Sequence, residues 1–143
     1  AAVLVRAASS ADLVAAVRAS QESGLPILPI GRGANLLVAD AGFPGIAVSL
    51  AELPVVIEIA AETSIVTVSA GASLPVVARK TASAGLTGFE WAVGVPGSIG
   101  GAVRMNAGGH GSDMAGSLID VTVVDTAAGA DATSQRERVL PVA

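Results

Sequence analysis

Residues 88–111 of the chain read GFEWAVGVPGSIGGAVRMNAGGHG. Ten of the 17 glycines lie within residues 85–116. Each glycine costs about 0.5–1 kcal/mol relative to alanine in a regular element, so this cluster indicates a backbone that turns sharply or approaches another group closely. Backbone N–H groups left free by such turns form concave sites that suit anions, above all phosphates. The stretch therefore predicts a ligand that carries phosphate.

A second glycine-containing loop lies upstream, where residues 30–38 read IGRGANLLV. It follows the apolar run LPILPI of residues 25–30, which predicts an edge strand because of its two prolines. A strand that leads directly into such a loop places free amides at the strand's end, where α/β folds commonly bind ligands. Taken alone, the loop is better explained as a tight turn between strands.

Length and composition narrow the class of protein. A chain of 143 residues with 52% apolar residues fits one domain or two small lobes that share a core. A net charge of −4 without a basic cluster argues against a nucleic-acid or acidic-membrane partner. The longest charge-free run has 16 residues, fewer than the roughly 18–20 of a membrane-spanning helix. The absence of cysteine and the single histidine predict no metal site, and no spacing of acidic residues marks a catalytic residue.

Local patterns predict alternating strands and helices. Ser9 and Asp12 are typical of a helix start, and Gly24 of its end. Ser73 and Pro75 predict the start of a second helix, and Gly85 its end. Strands are predicted at residues 3–6, 25–30, 36–38, 45–50 and 118–125, with an antiparallel pair at 55–59 and 64–69. We expect a first lobe at 1–50, a second at 51–126 and a loose tail at 127–143.

Two segments resemble a known enzyme family. Residues 95–102, VPGSIGGA, followed by residues 105–108, MNAG, resemble the flavin-binding signature of the UDP-N-acetylenolpyruvoylglucosamine reductases. Residues 30–38 resemble the same family's first flavin loop. The resemblance implies an α+β fold, the FAD-binding domain of the PCMH/vanillyl-alcohol-oxidase type, with two α/β lobes and the flavin between them. It covers most of the chain but only about the first half of such an enzyme, so we expect the substrate-binding domain to be absent.

The resemblance also implies which residues bind the cofactor. The first loop would wrap the pyrophosphate of FAD, although Ala34 stands where relatives often have serine and so lacks one hydroxyl contact. In the second motif, Ser98 would donate to a phosphate, and the amides of Ile99 to Ala102 would start a short helix that points its positive end at the anion. Arg32 either pairs with phosphate or is a solvated loop charge. His110, where many relatives have tyrosine, either contacts the flavin or is structural. The expected FAD-binding residues are Gly31, Arg32, Gly33, Ala34, Asn35, Leu36, Val95, Pro96, Gly97, Ser98, Gly100, Gly101, Ala102, Asn106, Gly108 and His110.

The function that the resemblance implies is NADPH-dependent reduction of UDP-N-acetylglucosamine enolpyruvate to UDP-N-acetylmuramate. This reaction serves peptidoglycan synthesis in the bacterial cytoplasm, and with it cell-wall biogenesis, cell shape and cell division. The family's catalytic arginine, serine and glutamate belong to stretches without a counterpart here. We therefore expect an FAD-binding portion that is inactive alone and is monomeric or weakly self-associating. The alternatives are another FAD-dependent oxidoreductase of this fold, such as an alcohol or aldehyde oxidase subunit, and a phosphate-binding module without enzymatic activity.

Overall fold

A computed structural model describes residues 1–126 and 137–141 as a mixture of short strands and helices. This mixture confirms the predicted α+β class. In chain order the elements are β1 (Val3–Arg6), α1 (Ser10–Ser23), β2 (Ile27–Ile30), β3 (Ile46–Ser49), β4 (Ile57–Ala60), β5 (Ile65–Val68), α2 (Leu74–Ser83), a 3-10 helix (Glu90–Gly94), α3 (Ile99–Met105), β6 (Gly108–Gly109), β7 (Ser112–Asp113), β8 (Asp120–Val124) and β9 (Glu137–Pro141). Among these described residues no helix is long and apolar enough to cross a membrane.

The chain divides into two compact units, and each is discontinuous in sequence. The first unit comprises Ala1–Ile30, Leu36–Leu53 and the chain from Ile119 onward, and the second comprises Gly31–Asn35 and Pro54–Leu118. The change at Leu53 lies near the lobe boundary predicted after residue 50. The predicted lobes put the first glycine loop in the first lobe and β8 in the second, whereas in the structure each belongs to the other unit. Contacts with residues distant in sequence decide this, and local sequence patterns do not show them.

The predicted loose tail also differs from the structure in part. Within it, β9 forms an antiparallel pair with β8, in which Val121 lies opposite Leu140. The rest of that prediction, for residues 127–136 and 142–143, lies outside the described residues.

The first unit contains a parallel sheet in the order β1-β3-β2. Val3 and Ile27 both lie opposite Ile46 of the central strand, which is buried. β2 is an edge strand as predicted, a position that tolerates proline because no ladder donor is needed on the open side. The predicted strand at residues 36–38 is wrong: this segment is irregular, and Leu37 is 100% exposed.

Helix α1 begins and ends as predicted. The Asp12 carboxylate accepts hydrogen bonds from the backbone N–H groups of Ala8 at 2.9 Å and Ser9 at 3.0 Å. In return, the Ser9 hydroxyl oxygen accepts from the Asp12 N–H at 3.2 Å, which completes a capping box. The left-handed Gly24, with φ of 69°, terminates the helix.

The capping box makes stability depend on pH. The Ala8 N–H, followed by the hydroxyl and N–H of Ser9, holds the pKa of Asp12 below its ordinary value. Because the folded pKa is lowered, this stabilisation is present above the unfolded value of about 3.9 and is lost as pH falls through the folded pKa. Asp12→Asn is therefore expected to lower the urea midpoint at pH 7, and the difference from wild type should vanish in strong acid. Equal midpoints at pH 7 would contradict this; Glu22→Gln in the same helix is the control.

The second unit is built around helix α2. Its buried face consists of Leu74, Val77, Ala78 and Thr81, as the spacing predicted. The helix ends in a Schellman motif around Gly85, whose φ is 80°: the Gly85 N–H donates to Ala82 O and the next N–H to Thr81 O, both at 3.0 Å. Ser73 is the N-cap residue, in agreement with the predicted start, but its hydroxyl makes no cap hydrogen bond.

The core of the second unit joins α2 to the glycine-rich stretch. Trp91 is buried in this core, and the Phe89 ring packs edge-on against it at a centroid distance of 5.4 Å. Trp91 therefore fills the core, and Phe89 packs against it. The antiparallel pair of β4 and β5 is confirmed. The buried core residues are Leu74, Ala78, Trp91, Ala92, Ala102 and Met114.

Candidate functional site

The two glycine-containing loops meet inside the second unit. A Cβ atom placed on Gly31 would lie 2.5 Å from the Ser98 Oγ. A Cβ atom placed on Gly97 would lie 3.9 Å from the Ala34 Cβ. Segments that are far apart in sequence are therefore neighbours, and a side chain at Gly31 would force Ser98 to move.

Both loops present backbone N–H groups that are free to donate. Within the described part of the chain, the amides of residues 31–35 and of Gly97 and Ser98 donate to no acceptor. Residues 32–35 are exposed, whereas Gly31 and Gly97 are half-buried and Ser98 is buried. Free amides on adjacent glycine-containing loops form a site that suits an anion.

The start of helix α3 differs from its predicted role. The helix does begin at Ile99, but its first amides donate within the chain: Ile99 to Ala72 O at 2.9 Å and Gly100 to Ala70 O at 2.8 Å. Gly101 donates to the Ser98 Oγ at 3.3 Å, and Ala102 to the Ser98 backbone oxygen at 2.9 Å. The prediction that these four amides point at an anion is therefore wrong, and the free donors are those of Gly97, Ser98 and the first loop.

Ser98 links the two loops to the helix. It is only 3% exposed, and its hydroxyl oxygen caps α3 by accepting from Gly101. A serine hydroxyl also carries one O–H donor, which this cap does not use. Ser98 thus retains the donor that the resemblance assigned to phosphate.

Gly31→Ala is expected to destabilise the protein through Ser98. The new methyl group would displace the Ser98 Oγ and break the α3 cap, and loss of such a cap costs about 1 kcal/mol. In a Ser98→Ala background the same substitution should cost nothing further, since only the Ser98 Cβ, at 3.5 Å, then faces the methyl group. Urea unfolding of the four proteins measures this coupling. If the losses of stability in the two single variants add up in the double variant, the contact between residue 31 and Ser98 does not cause the destabilisation.

After α3 the chain forms a tight hairpin. β6 and β7 pair with Gly109 opposite Ser112, and the turn residues His110 and Gly111 have φ of 54° and 83°. Asn106, with φ of 45°, ends α3. Its side-chain amide is engaged within the chain, because Nδ2 donates to the Asp113 Oδ2 at 3.0 Å and Oδ1 accepts from the Ala115 N–H at 2.8 Å.

The hairpin borders a groove of about 450 Å³ in the second unit. The indole N–H of Trp91 is buried beside it and has no partner among the described residues. The Glu90 carboxylate accepts from the Gly88 N–H at 2.7 Å. The sequence pointed to His110 as a site residue but gave no role to Glu90, because no spacing of acidic residues supported one. The groove is lined by Gly88, Glu90, Trp91, Val93, His110 and Ser112.

The structure brings only some of the expected site residues together. Gly31, Ala34, Gly97 and Ser98 meet, and Gly101 joins them through its bond to Ser98. Val95 packs against the core, while Leu36 belongs to the first unit. The remaining expected residues near the hairpin, Asn106, Gly108 and His110, lie beyond α3 and make no described contact with the first loop.

Comparison with known proteins shows which family of proteins has these two glycine-containing loops. Residues 1–131 match the family described as FAD binding domain, and the chain belongs to that family. FAD is accordingly its cofactor. The match confirms the fold class and the cofactor that the resemblance implied.

The relatives narrow the class further. The chain is 45% identical over 121 residues to the UDP-N-acetylenolpyruvoylglucosamine reductase of Synechococcus sp. strain RCC307, covering 85% of this chain and 39% of that protein. It is 42% identical over 116 residues to the reductase of Rubrobacter xylanophilus, covering 81% and 38%. The crystal structure of the Thermus caldophilus reductase matches 96% of this chain and 45% of its own at 31% identity, with a TM-score of 0.68. The chain spans about two fifths of the length of these curated relatives.

Proposed function

We propose that the chain binds FAD by holding its pyrophosphate against the two glycine-containing loops, as the flavin-binding portion of a UDP-N-acetylenolpyruvoylglucosamine reductase. The observation that carries this proposal is the set of free amides at residues 31–35, Gly97 and Ser98, on loops that touch each other. A pyrophosphate offers several negatively charged acceptor oxygens, which such donors satisfy.

Neighbouring side chains add to the proposed pyrophosphate site. Arg32 is exposed on the first loop and adds a positive charge beside the free amides. Ser98 adds its O–H donor, whereas Ala34 offers only backbone. Three further expected residues support the site without contacting FAD through their amides, since these amides hold the second loop and the start of α3 in place: Gly100, Gly101 and Ala102.

For the whole protein we propose NADPH-dependent reduction of UDP-N-acetylglucosamine enolpyruvate to UDP-N-acetylmuramate, in cytoplasmic peptidoglycan synthesis. The reductase names of relatives at 42–45% identity support this assignment over an oxidase or a non-enzymatic module. Bound flavin supplies hydride transfer, and the protein supplies binding and orientation. We expect the 143 residues alone to bind FAD without turnover, because the family's catalytic arginine, serine and glutamate have no counterpart in them.

Titration of the chain with FAD, riboflavin and ADP tests the site. FAD should bind one to one with a change in flavin fluorescence. Riboflavin, which lacks the pyrophosphate, should bind far more weakly, and ADP, which has it, should compete with FAD. Absence of saturable FAD binding would overturn the proposal. Equal affinity for riboflavin and FAD would show that the pyrophosphate loops do not carry the binding.

A further inference from the structure

The segment that follows α3 is held by a pair of side chains, Asn106 and Asp113. Asn106 uses both ends of its amide, donating to the Asp113 Oδ2 at 3.0 Å and accepting from the Ala115 N–H at 2.8 Å. The other Asp113 oxygen accepts from the Gly116 N–H at 3.0 Å. Together the two side chains tie the end of α3 to the last strand of the hairpin and to the turn beyond it.

Backbone contacts fix the same segment from the other side. The N–H of Met114, a buried core residue, donates to Ala107 O at 2.9 Å. Gly108 lies directly opposite Asp113, and a Cβ on Gly108 would lie 2.9 Å from the Asp113 Cβ. The hairpin base is therefore closely packed around the Asn106–Asp113 pair.

The first turn residue of the hairpin is a histidine with a left-handed backbone conformation. Two-residue turns with positive φ at both positions favour Asn-Gly or Asp-Gly, yet His110 occupies the first position with φ of 54°. Side chains larger than glycine adopt this conformation at a cost, and such strain concentrates at functional sites. His110 lines the groove together with Glu90 and Trp91. The turn thus holds a histidine where asparagine would be easier to accommodate, which points to a use for the imidazole.

We infer that Asn106 and Asp113 are positioning residues, which fix the hairpin so that His110 lines the groove and contacts the bound flavin. The inference rests on the proposed function for FAD itself. The Asn106 side chain is not available to FAD in this arrangement, because both ends of its amide are already engaged.

The pair permits a test by exchange of its two members. We call the hydrogen-bonded pair of Asn106 and Asp113 the clamp. Asn106→Asp places two carboxylates against each other and removes the amide donor, so the clamp should open. In the double variant Asn106→Asp/Asp113→Asn, the amide at 113 donates to the carboxylate at 106. The Ala115 and Gly116 N–H groups keep their acceptors. Asparagine and aspartate both tolerate the left-handed conformation at 106, so the backbone there is not disturbed.

Two measurements separate the clamp from FAD binding in general. Amide hydrogen exchange at Met114 and Gly116, whose N–H groups donate to Ala107 O and the Asp113 Oδ1, should be about tenfold faster in the FAD-free Asn106→Asp chain and return to wild type in the double variant. FAD affinity should fall about tenfold in the single variant and recover in the double one. The visible absorption band of the bound flavin should shift in His110→Asn, a substitution that suits the turn. It should shift in the same way in Asn106→Asp and return to the wild-type position in the double variant.

The outcomes distinguish this inference from the proposed function. If wild type binds no FAD, the proposed function fails, while a failure of the double variant to restore slow exchange overturns the clamp independently. If exchange responds as expected but the flavin band and affinity do not change, the pair is purely structural and the positioning role is overturned. An unshifted band in His110→Asn also overturns it, because the imidazole then does not contact the flavin.

Discussion

Gly97→Val is expected to weaken FAD binding about 100-fold. Gly97 has φ of 132°, a conformation that residues with a Cβ atom rarely adopt and a β-branched residue adopts least of all. The nearest atom to a Cβ at this position is the Ala34 Cβ at 3.9 Å, so strain in the loop, rather than a steric clash, causes the loss. Relief of the strain would turn the free amides of Gly97 and Ser98 away from the pyrophosphate. Titration by flavin fluorescence measures the effect.

Gly94→Val is the matched control for this substitution. Gly94 lies three residues earlier, has no positive φ, and a Cβ atom there meets no atom within 4 Å. The control should bind FAD within a factor of about three of wild type, since exposed substitutions without strain change free energies by about 0.5 kcal/mol. Thermal unfolding of both FAD-free variants reports on the fold. If both lose affinity and thermal stability equally, misfolding explains the result and the role assigned to Gly97 is wrong.

Leu74→Ala is expected to lower the free energy of unfolding by about 2–5 kcal/mol. Leu74 is 0% exposed and lies where helix α2 meets Trp91 and Ala102 in the core of the second unit. Truncation removes buried apolar surface and leaves a cavity, because these neighbours belong to different elements and cannot all move inward. Urea unfolding followed by tryptophan fluorescence suits the measurement, since the chain's one tryptophan, Trp91, packs in the same core.

Val76→Ala provides the comparison on the same helix. Val76 is 36% exposed, so its truncation should cost about 1 kcal/mol or less. Similar losses for the two variants would mean that α2 is not packed as described. The backbone N–H of Leu74 donates to Gly97 O at 3.1 Å and is retained in Leu74→Ala. The folded fraction of that variant should therefore still bind FAD.

Features with a local physical cause could be predicted from sequence. The capping box of Ser9 and Asp12, the left-handed Gly24 and the buried face of α2 each depend on residues within a few positions of one another. The two glycine-containing motifs predicted a phosphate-bearing ligand for the same reason, since free amides follow from local turns. Resemblance then specified FAD, which the family match confirmed.

Features that depend on distant partners could not be predicted in this way. Residues 36–38 have the composition of a strand, but the structure leaves them irregular. The amides at the start of α3 looked available to a ligand, yet Ala70 and Ala72, about 30 residues away, supply acceptors for two of them. Nothing local marks Glu90 as part of a groove, because that groove depends on the hairpin some 20 residues later. In each case a non-local contact decided the outcome.

The contact between Gly31 and Ser98 has a consequence for folding kinetics. These residues are 67 positions apart, so closing the chain between them carries a large entropic cost that local helices do not incur. We therefore expect the cofactor site to assemble after the rate-limiting step of folding. FAD would then stabilise an arrangement that the transition state lacks, so it should slow unfolding markedly while leaving the refolding rate almost unchanged.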